Sequence, residues 1–255
     1  MPLSADLLQK LATFPALARS IAVYYGDPAR DAAMDTLYAR FVKPGDTVFD
    51  IGSHVGDRIG SFRRLGAKVV ALEPQPDCAE VIRLIHAGDP DVRLIEQACG
   101  ARAGKLTLKV NSANPTVTTA SEDFIRAAEG AGGWEGQVWD RAIEVRVTTL
   151  DRLIANHGVP AFAKIDVEGL EDQVLDGLTT PMPALSFEFT TIQREIATRC
   201  VERLVDLGRY KFDVALGESQ QLTFGSPVKA SEMLAHIASL PHEANSGDIY
   251  AILVA

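Results

Sequence analysis

The stretch VFDIGSHVGDRIG, residues 48–60, determines how the rest of the chain is interpreted. An apolar run ends in Asp50, Gly52 and Gly56 frame a short loop, and helix-like spacing begins after the second glycine. This order predicts a strand, a turn and a helix, and ligands of open α/β sheets bind beyond the carboxyl ends of the strands. Glycines let the backbone approach a ligand, and the next helix offers unpaired amides. We predict a ligand-binding loop, although a plain turn with a capping aspartate also fits this segment alone.

The same alternation of strand and helix patterns continues along the chain. Short β-branched and apolar runs lie at 47–51, 68–72 and 92–96, and helical spacing lies at 56–65 and 76–86. This βαβαβ order predicts a doubly wound, mostly parallel sheet of the α/β class. Further strands are predicted at 161–166, 184–189, 210–216 and 248–255.

Two regions depart from this alternation. Residues 1–43 have helical spacing and predict an N-terminal helical extension that precedes an α/β domain at 44–255. Strand patterns at 104–110 and 142–150 flank a segment with a short helix and a glycine-rich loop. We therefore expect a β-hairpin-like insertion in the domain, at about 111–141. Its two tryptophans, Trp134 and Trp139, could line a lid over an apolar acceptor or pack beneath a surface hairpin.

A second acid stands at the end of the second predicted strand. Glu73 follows VVAL and lies seventeen residues after Gly56, where nucleotide-binding folds place a carboxylate against two ribose hydroxyls. The loop reads G-x-x-x-G rather than the dinucleotide pattern G-x-G-x-x-G, and Asp50 before it would repel a pyrophosphate. The same carboxylate suits an amino-acid ammonium group. The order of acid, loop and acid therefore favours S-adenosylmethionine over NAD as the cofactor.

Other residues near these strand ends are candidate cofactor contacts. Ser53 and His54 lie between the two glycines of the loop. Gln97 ends the third predicted strand, where its amide could bind adenine or simply face solvent.

Composition limits the possible partners and compartments. The chain of 255 residues carries 25 basic and 34 acidic side chains, a net charge of −9, and has no basic cluster for a nucleic-acid backbone. Its cysteines, Cys78, Cys99 and Cys200, are far apart and form neither a CxxC pair nor a zinc-ligand spacing. Neither a signal peptide nor an apolar run of about 18 residues is present. We expect a cytoplasmic protein that binds neither membranes nor nucleic acids.

Five motifs, in a fixed order, carry a resemblance to a known family. They are KPGDTVFDIGSHVG, VVALEPQP, TTLDRLI, AKIDVEGLEDQVLDGL and LSFEF. In this order they resemble the FkbM-type methyltransferases, within the class I S-adenosylmethionine-dependent fold, over roughly residues 40–215. The resemblance implies a seven-stranded sheet whose last strand is antiparallel. It also implies O-methylation of a hydroxyl group on a small molecule, a sugar or a polyketide-type product.

The resemblance also implies roles for individual residues. Asp50, Gly52 and Gly56 would form the donor loop, Glu73 would hold the ribose, and Asp166 would stand beside the reacting centre. The loop commonly reads G-A-N in relatives but G-S-H here, so no role for His54 follows from the family.

Catalytic candidates come from the residues themselves. Asp166 ends a predicted core strand and could polarise the acceptor, hold the donor's ammonium group or cap the next helix. Glu168 shares its side-chain phase unless the turn at Gly169 redirects it, and His54 has an unperturbed pKa of ~6.5 that suits a base. Glu188 could join Asp166 and Glu168 around a divalent cation, but no ligand spacing demands one, and we expect no metal. A nucleotide-dependent oxidoreductase and an inactive cofactor-binding module remain the alternative functions.

Overall fold

The computed structural model describes residues 3–254, which form ten α-helices, three short 3₁₀ helices and ten strands. Three helices come first: α1 (Ala5–Leu11), α2 (Ala18–Tyr25) and α3 (Pro28–Tyr38). The first half of the α/β region contains β1 (Thr47–Ile51), α4 (Asp57–Arg64), β2 (Lys68–Leu72), α5 (Pro76–Ile85) and β3 (Val92–Ile95). A middle region follows, with β4 (Ala98–Cys99), β5 (Gly104–Val110), α6 (Glu122–Ala128) and β6 (Arg141–Thr148). The second half contains α7 (Leu150–His157), β7 (Phe162–Ile165), α8 (Glu171–Asp176), β8 (Ala184–Thr190), α9 (Arg194–Leu207), β9 (Tyr210–Leu216), α10 (Ala230–Ser239) and β10 (Ser246–Leu253).

The main sheet has seven strands in the order β3-β2-β1-β7-β8-β10-β9. β1 pairs in parallel with both β2 and β7, which makes it a central strand. β10 runs antiparallel to its neighbours β8 and β9. The predicted doubly wound, seven-stranded sheet with an antiparallel last strand is therefore confirmed.

The strand order brings the predicted site residues to one edge. The chain runs outward from β1 to β2 and β3 on one side and then, after the middle region, returns to β7 on the other side of β1. This reversal creates the switch point where ligands bind in such sheets. Because β1, β2 and β7 are parallel, the residues at their carboxyl ends, Asp50, Glu73 and Asp166, lie at the same edge.

Apolar cores cover both faces of this sheet. Val48 and Phe162 contribute to a cluster with α3 and α4, while Phe49 and Ile165 contribute to a larger cluster with α7 to α10. Successive strand residues point to opposite faces, so a strand buried on both sides is apolar along most of its length. Burial on both faces explains why apolar runs in the sequence predicted the positions of the central strands.

A smaller sheet carries the strand patterns of the middle region. β5 and β6 pair antiparallel along their whole length, as expected for a hairpin-like insertion. The two-residue strand β4 pairs in parallel with β6, giving the order β4-β6-β5, and this third strand was not predicted. Within residues 3–254, no helix combines the length and apolar character needed to cross a lipid bilayer.

The end of β1 is bonded to both neighbouring strands. The amides of Gly52 and Ser53 donate to the carbonyl of Leu72, and the amide of Asp166 donates to the carbonyl of Ile51. Gly52 has a φ of +83°, and a Cβ atom there would lie 1.7 Å from the carbonyl oxygen of Asp166. We expected this glycine to admit a ligand. The close approach of the loop at 52–56 to the end of β7 also requires a glycine here, and the ligand contact stays a prediction.

We predict that Gly52→Ala destabilises the protein by more than about 3 kcal/mol, because a positive φ and a backbone clash both oppose the new methyl group. Gly45→Ala is the matched control, since Gly45 has a φ of +88° and a Cβ atom added there would meet no atom of residues 3–254 within 4 Å. The control should lose only about 1–2 kcal/mol, from the backbone conformation. Urea unfolding followed by circular dichroism measures both values, and equal losses would contradict the role of the close approach.

Candidate functional site

A cleft opens at the edge of the main sheet where β1, β2 and β7 end. The space between its walls, part of which is open solvent, is about 980 Å³. Eight of the nine predicted site residues line it: Asp50, Gly52, Ser53, His54, Glu73, Gln97, Asp166 and Glu168. The structure therefore brings together residues that are more than a hundred positions apart in the sequence.

The ninth predicted residue, Gly56, does not line the cleft. It has a φ of +83° and immediately precedes α4. A Cβ atom there would lie 3.1 Å from Ile82 and 3.2 Å from Ile59. Its conformation is therefore explained by the turn into α4 and by packing behind the loop.

Asp50 presents an unsatisfied carboxylate oxygen in the cleft wall. The residue is only 1% exposed, and its Oδ2 atom is buried without a hydrogen-bond partner among residues 3–254. Burial raises the pKa of Asp50 to about 7. A buried carboxylate without a partner is costly, so this oxygen is suited to a ligand that brings a positive charge or a donor.

Glu73 is equally buried but partly satisfied. Its Oε2 accepts from the backbone amide of His54 and its Oε1 from that of Gln75, both at 2.8 Å. Burial raises the pKa of Glu73 to about 8, although these two hydrogen bonds favour the ionised form. Each oxygen can accept a further hydrogen bond, which matches two neighbouring hydroxyl groups on a ligand.

His54 is held by contacts on several sides. Its Nε2 lies 3.3 Å from Thr116 Oγ1, its Nδ1 lies 3.6 Å from Cys78 Sγ, and its ring meets Tyr24 edge-on. Burial lowers the pKa of His54 to about 4. The imidazole is therefore neutral around pH 7 and a weaker base than a free histidine. A catalytic role for His54 stays a prediction that this low basicity does not favour.

Asp166 belongs to a buried ion-pair group that includes a lysine. The Nζ atom of Lys164 lies 3.1 Å from Asp166 Oδ2 and 2.7 Å from Asp248 Oδ1, and Lys164 is 2% exposed. Burial alone would raise the pKa of Asp166, but the charge and hydrogen bond of Lys164 lower it below its ordinary value. Asp166 is therefore ionised at neutral pH and can accept a hydrogen bond from a ligand.

Two further acids lie next to Asp166. One oxygen from each of Asp166, Glu168 and Glu188 lies within 4.8 Å of the other two. Burial, followed by the charge of Asp166, raises the pKa values of Glu168 and Glu188 well above their ordinary range. Protonation of these two side chains lets three carboxyl groups share one site, although their oxygens could also ligate a divalent cation. The absence of a metal remains a prediction.

The turn after β7 fixes where Glu168 lies. Glu168 has a φ of +57°, and the following Gly169 has a φ of +94°. The carboxylate of Glu171 accepts from the amides of Val167 and Gly169, and Thr119 Oγ1 donates to the carbonyl of Glu168 at 2.6 Å. Gly169 therefore forms the predicted turn, and the hydrogen bonds to Glu171 fix the conformation of that turn.

Several residues that line the cleft were not identified from the sequence. They include Tyr24 from α2, Asp57 and Arg58 from α4, Lys164 from β7 and Glu218 from the loop after β9. Lys164 could have been identified from the sequence, because this lysine interrupts an otherwise apolar strand two residues before Asp166. The others had none, since their proximity depends on tertiary packing.

Three of the lining side chains, Asp57, Arg58 and Glu218, form an ionic ring with Arg30 of α3. Arg30 Nη2 lies 2.8 Å from both Asp57 Oδ2 and Glu218 Oε2. Arg58 contacts the same two carboxylates at 2.6 and 3.2 Å. Each arginine is thus shared between two acids, and the ring joins α3, α4 and the loop after β9.

The first part of the middle region, up to Ala120, forms one wall of the cleft. Thr116, Thr118 and Ala120 line the cleft, together with Leu106 and Leu108 of β5. Trp134 and Trp139 do not line it; both pack against Phe124 in a separate apolar cluster. Of the two roles considered for these tryptophans, structural packing is the one that the contacts explain.

A family model described as the methyltransferase FkbM domain matches residues 50–202, which is more than half of the chain. The chain belongs to the FkbM methyltransferase family. The match includes Asp50, Glu73, Asp166 and Glu188, all at the carboxyl edge of the sheet. No curated protein matches this FkbM methyltransferase at a significant level.

Solved structures that match this chain include several methyltransferases. The precorrin-6Y C5,15-methyltransferase of Geobacter metallireducens is 14% identical, with a TM-score of 0.45, and the match covers 88% of this chain and 87% of that one. An O-methyltransferase of Bacillus cereus is 11% identical, with a TM-score of 0.44 and coverage of 99% and 92%. A TehB-like S-adenosylmethionine-dependent methyltransferase of Corynebacterium glutamicum is 8% identical, with a TM-score of 0.45 and coverage of 96% and 99%. At this level of similarity they do not indicate an acceptor for the FkbM methyltransferase.

We predict that Glu73 makes the ligand-free FkbM methyltransferase less stable as pH rises. The pKa of Glu73 is about 8 in the folded protein, against about 4.3 in an unfolded chain. Between these values the folded state keeps a proton that the unfolded state has lost, so the free energy of unfolding falls with rising pH and levels off above about 8.

Urea unfolding between pH 5 and 8 should show a shallower fall for Glu73→Gln than for the wild type. Glu80→Gln makes the same substitution at a surface position that pairs with Arg83, and its curve should parallel the wild type. A Glu73→Gln curve as steep as that of the wild type would refute the buried, raised-pKa carboxyl at this position.

Proposed function

We propose that this FkbM methyltransferase transfers the methyl group of S-adenosylmethionine to a hydroxyl oxygen of a small molecule, a sugar or a polyketide-type product. The observation that carries the proposal is the placement of two buried carboxyls, Asp50 and Glu73, in one cleft, where Asp50 has an oxygen without a partner among residues 3–254. The net charge of −9 and the acidic cleft favour a small acceptor over a nucleic acid.

The residues of the cleft fit the parts of this donor. Asp50 would hold the ammonium group, which would donate a hydrogen bond and a neighbouring positive charge to the unpartnered Oδ2 atom. Glu73 would accept from the two ribose hydroxyls, and Gln97 with Leu106 and Leu108 provides an amide and apolar surface for the adenine. An oxidoreductase that uses NAD would place a pyrophosphate beside Asp50, where negative charges repel each other.

Asp166 would orient the acceptor. When bound, S-adenosylmethionine supplies a methyl group with a good leaving group, so the protein has mainly to align and desolvate the acceptor. Alignment can contribute about 7–11 kcal/mol, more than the ~10²–10⁴-fold of a single acid–base group. The ionised Asp166 would accept a hydrogen bond from the acceptor hydroxyl. This bond would orient the hydroxyl oxygen toward the methyl group and favour loss of the hydroxyl proton.

Calorimetry tests the donor assignment. We expect S-adenosylmethionine to bind with release of protons at pH 7, because a cation next to Asp50 and hydroxyls bonded to Glu73 lower two raised pKa values. Titrations in buffers of different ionisation enthalpy measure this release. Asp50→Asn should release fewer protons and bind about tenfold or more weakly.

The control for this titration is Asp77→Asn, which removes the same charge at an exposed position in the first turn of α5. It should behave like the wild type. Binding of NAD without any response to S-adenosylmethionine would overturn the proposed function in favour of the oxidoreductase.

Methyl transfer from labelled donor to acceptor extracts tests the chemistry. Asp166→Asn should lower kcat by about 10²-fold or more while donor affinity changes little, because Asp166 acts on the acceptor. Asp248→Asn is the matched control: it removes the other acid bound to Lys164, and Asp248 does not line the cleft. Equal losses of kcat in both variants would mean that Asp166 only balances the charge of Lys164. A wild type that gives no labelled product with any extract would favour an inactive binding module.

A further inference from the structure

The two residues that hold the carboxylate of Glu73 also reach the middle region. His54 and Gln75 each donate a backbone amide to one oxygen of Glu73, at 2.8 Å in both cases. The side chain of His54 places Nε2 3.3 Å from Thr116 Oγ1. The side-chain amide of Gln75 donates to the carbonyl of Pro115 at 3.2 Å. Two short paths therefore connect the carboxylate assigned to the ribose with neighbouring residues of the middle region.

These paths end on the wall segment, defined as residues 115–118. Thr116 and Thr118 of this segment line the cleft. The next residue, Thr119, pairs through its backbone with Lys109 of β5, and its hydroxyl donates to the carbonyl of Glu168. The start of the wall segment is therefore bonded to the donor side of the cleft, and the residue after it is bonded to the turn beside Asp166.

The wall segment itself has a short-range backbone structure. Pro115–Val117 is a single 3₁₀ turn, and the amides of Val117 and Thr118 donate to carbonyls only three residues earlier. Side chains from outside support it: Thr116 Oγ1 lies 3.3 Å from Ser20 Oγ, and Trp139 Nε1 donates to the carbonyl of Val117. A turn of this kind opens locally at a smaller free-energy cost than a strand of the central sheet, so each side-chain contact affects how often it opens.

We propose that His54 and Gln75 are positioning residues that order the wall segment when S-adenosylmethionine binds to Glu73. The inference rests on the proposed function and adds a coupling between the donor and the acceptor. Ribose hydroxyls bonded to Glu73 would fix its carboxylate and the two amides that donate to it, so one ordering of His54 and Gln75 serves both the donor and the wall segment. By linkage, a donor that favours the ordered wall segment raises the affinity for an acceptor that contacts it.

Hydrogen exchange of the full chain, measured by mass spectrometry with and without saturating S-adenosylmethionine, tests this coupling. The protection ratio is the exchange rate without the donor divided by the rate with it. In the wild type we expect a ratio above one both at 52–56 and at 111–121. Thr116→Val removes the hydroxyl at nearly constant shape and should lower the ratio at 111–121 by about 2- to 10-fold, the range of one neutral hydrogen bond, without lowering it at 52–56.

Two further variants serve as controls. Thr116→Ser keeps the hydroxyl and should retain the wild-type ratio at 111–121. Thr107→Val makes the same substitution as the test variant at an exposed position of β5, and it should change neither ratio.

The outcomes separate this inference from the proposed function. A wild type in which S-adenosylmethionine slows exchange nowhere refutes the proposed function itself. Slower exchange at 52–56 without any change at 111–121 refutes the coupling alone. A merely structural role of Thr116 would speed exchange equally with and without the donor, so an unchanged ratio in Thr116→Val overturns the inference. If Thr116→Val does not fold, Gln75→Met removes the second contact and should lower the same ratio, and an unchanged ratio there would be equally decisive against it.

Discussion

The buried charge of Lys164 is the constraint on which the arrangement at this edge of the sheet depends. Lys164 lies on β7 and Asp166 directly follows the strand, two residues later, so the two side chains reach the same side of the sheet and form an ion pair. In the strand register, Lys164 is opposite Ser186, and Glu188 is opposite Asp248. The acids at the ends of β7, β8 and β10 thus form a row, with one lysine bonded to two of them.

Removing one partner of a buried ion pair typically costs about 3–5 kcal/mol, so the lysine and its acids stabilise each other only as a set. The set also assigns protonation states. Asp166, bonded to Lys164, is ionised, whereas burial and the nearby charge of Asp166 keep protons on Glu168 and Glu188. One ionised acid beside protonated ones gives the site an acceptor and two potential donors.

Sequence patterns predicted the sheet well because its strands are buried on both faces. The bounds predicted for β1, β2 and β9 coincide with those in the structure, and Asp50 and Glu73 were placed from their positions at strand ends. The ionic ring could not be predicted, because Arg30 and Glu218 are brought to Asp57 by the packing of α3 and of a loop. For the same reason the sequence did not indicate how the predicted N-terminal helical extension packs: Leu11, Leu17 and Ile21 share one cluster with Val55 of the loop at 52–56.

Thr119 links the insertion to the turn that carries Glu168. Its backbone pairs with Lys109 of β5, and its hydroxyl donates to the carbonyl of Glu168. A molecule that displaced this segment at Thr116 or Thr118 would strain the hydrogen bond between Thr119 and the turn that carries Glu168. Substitutions that reshape this wall of the cleft would therefore also shift the turn at Glu168, so the shape of the wall and the position of the carboxyl cluster cannot change independently.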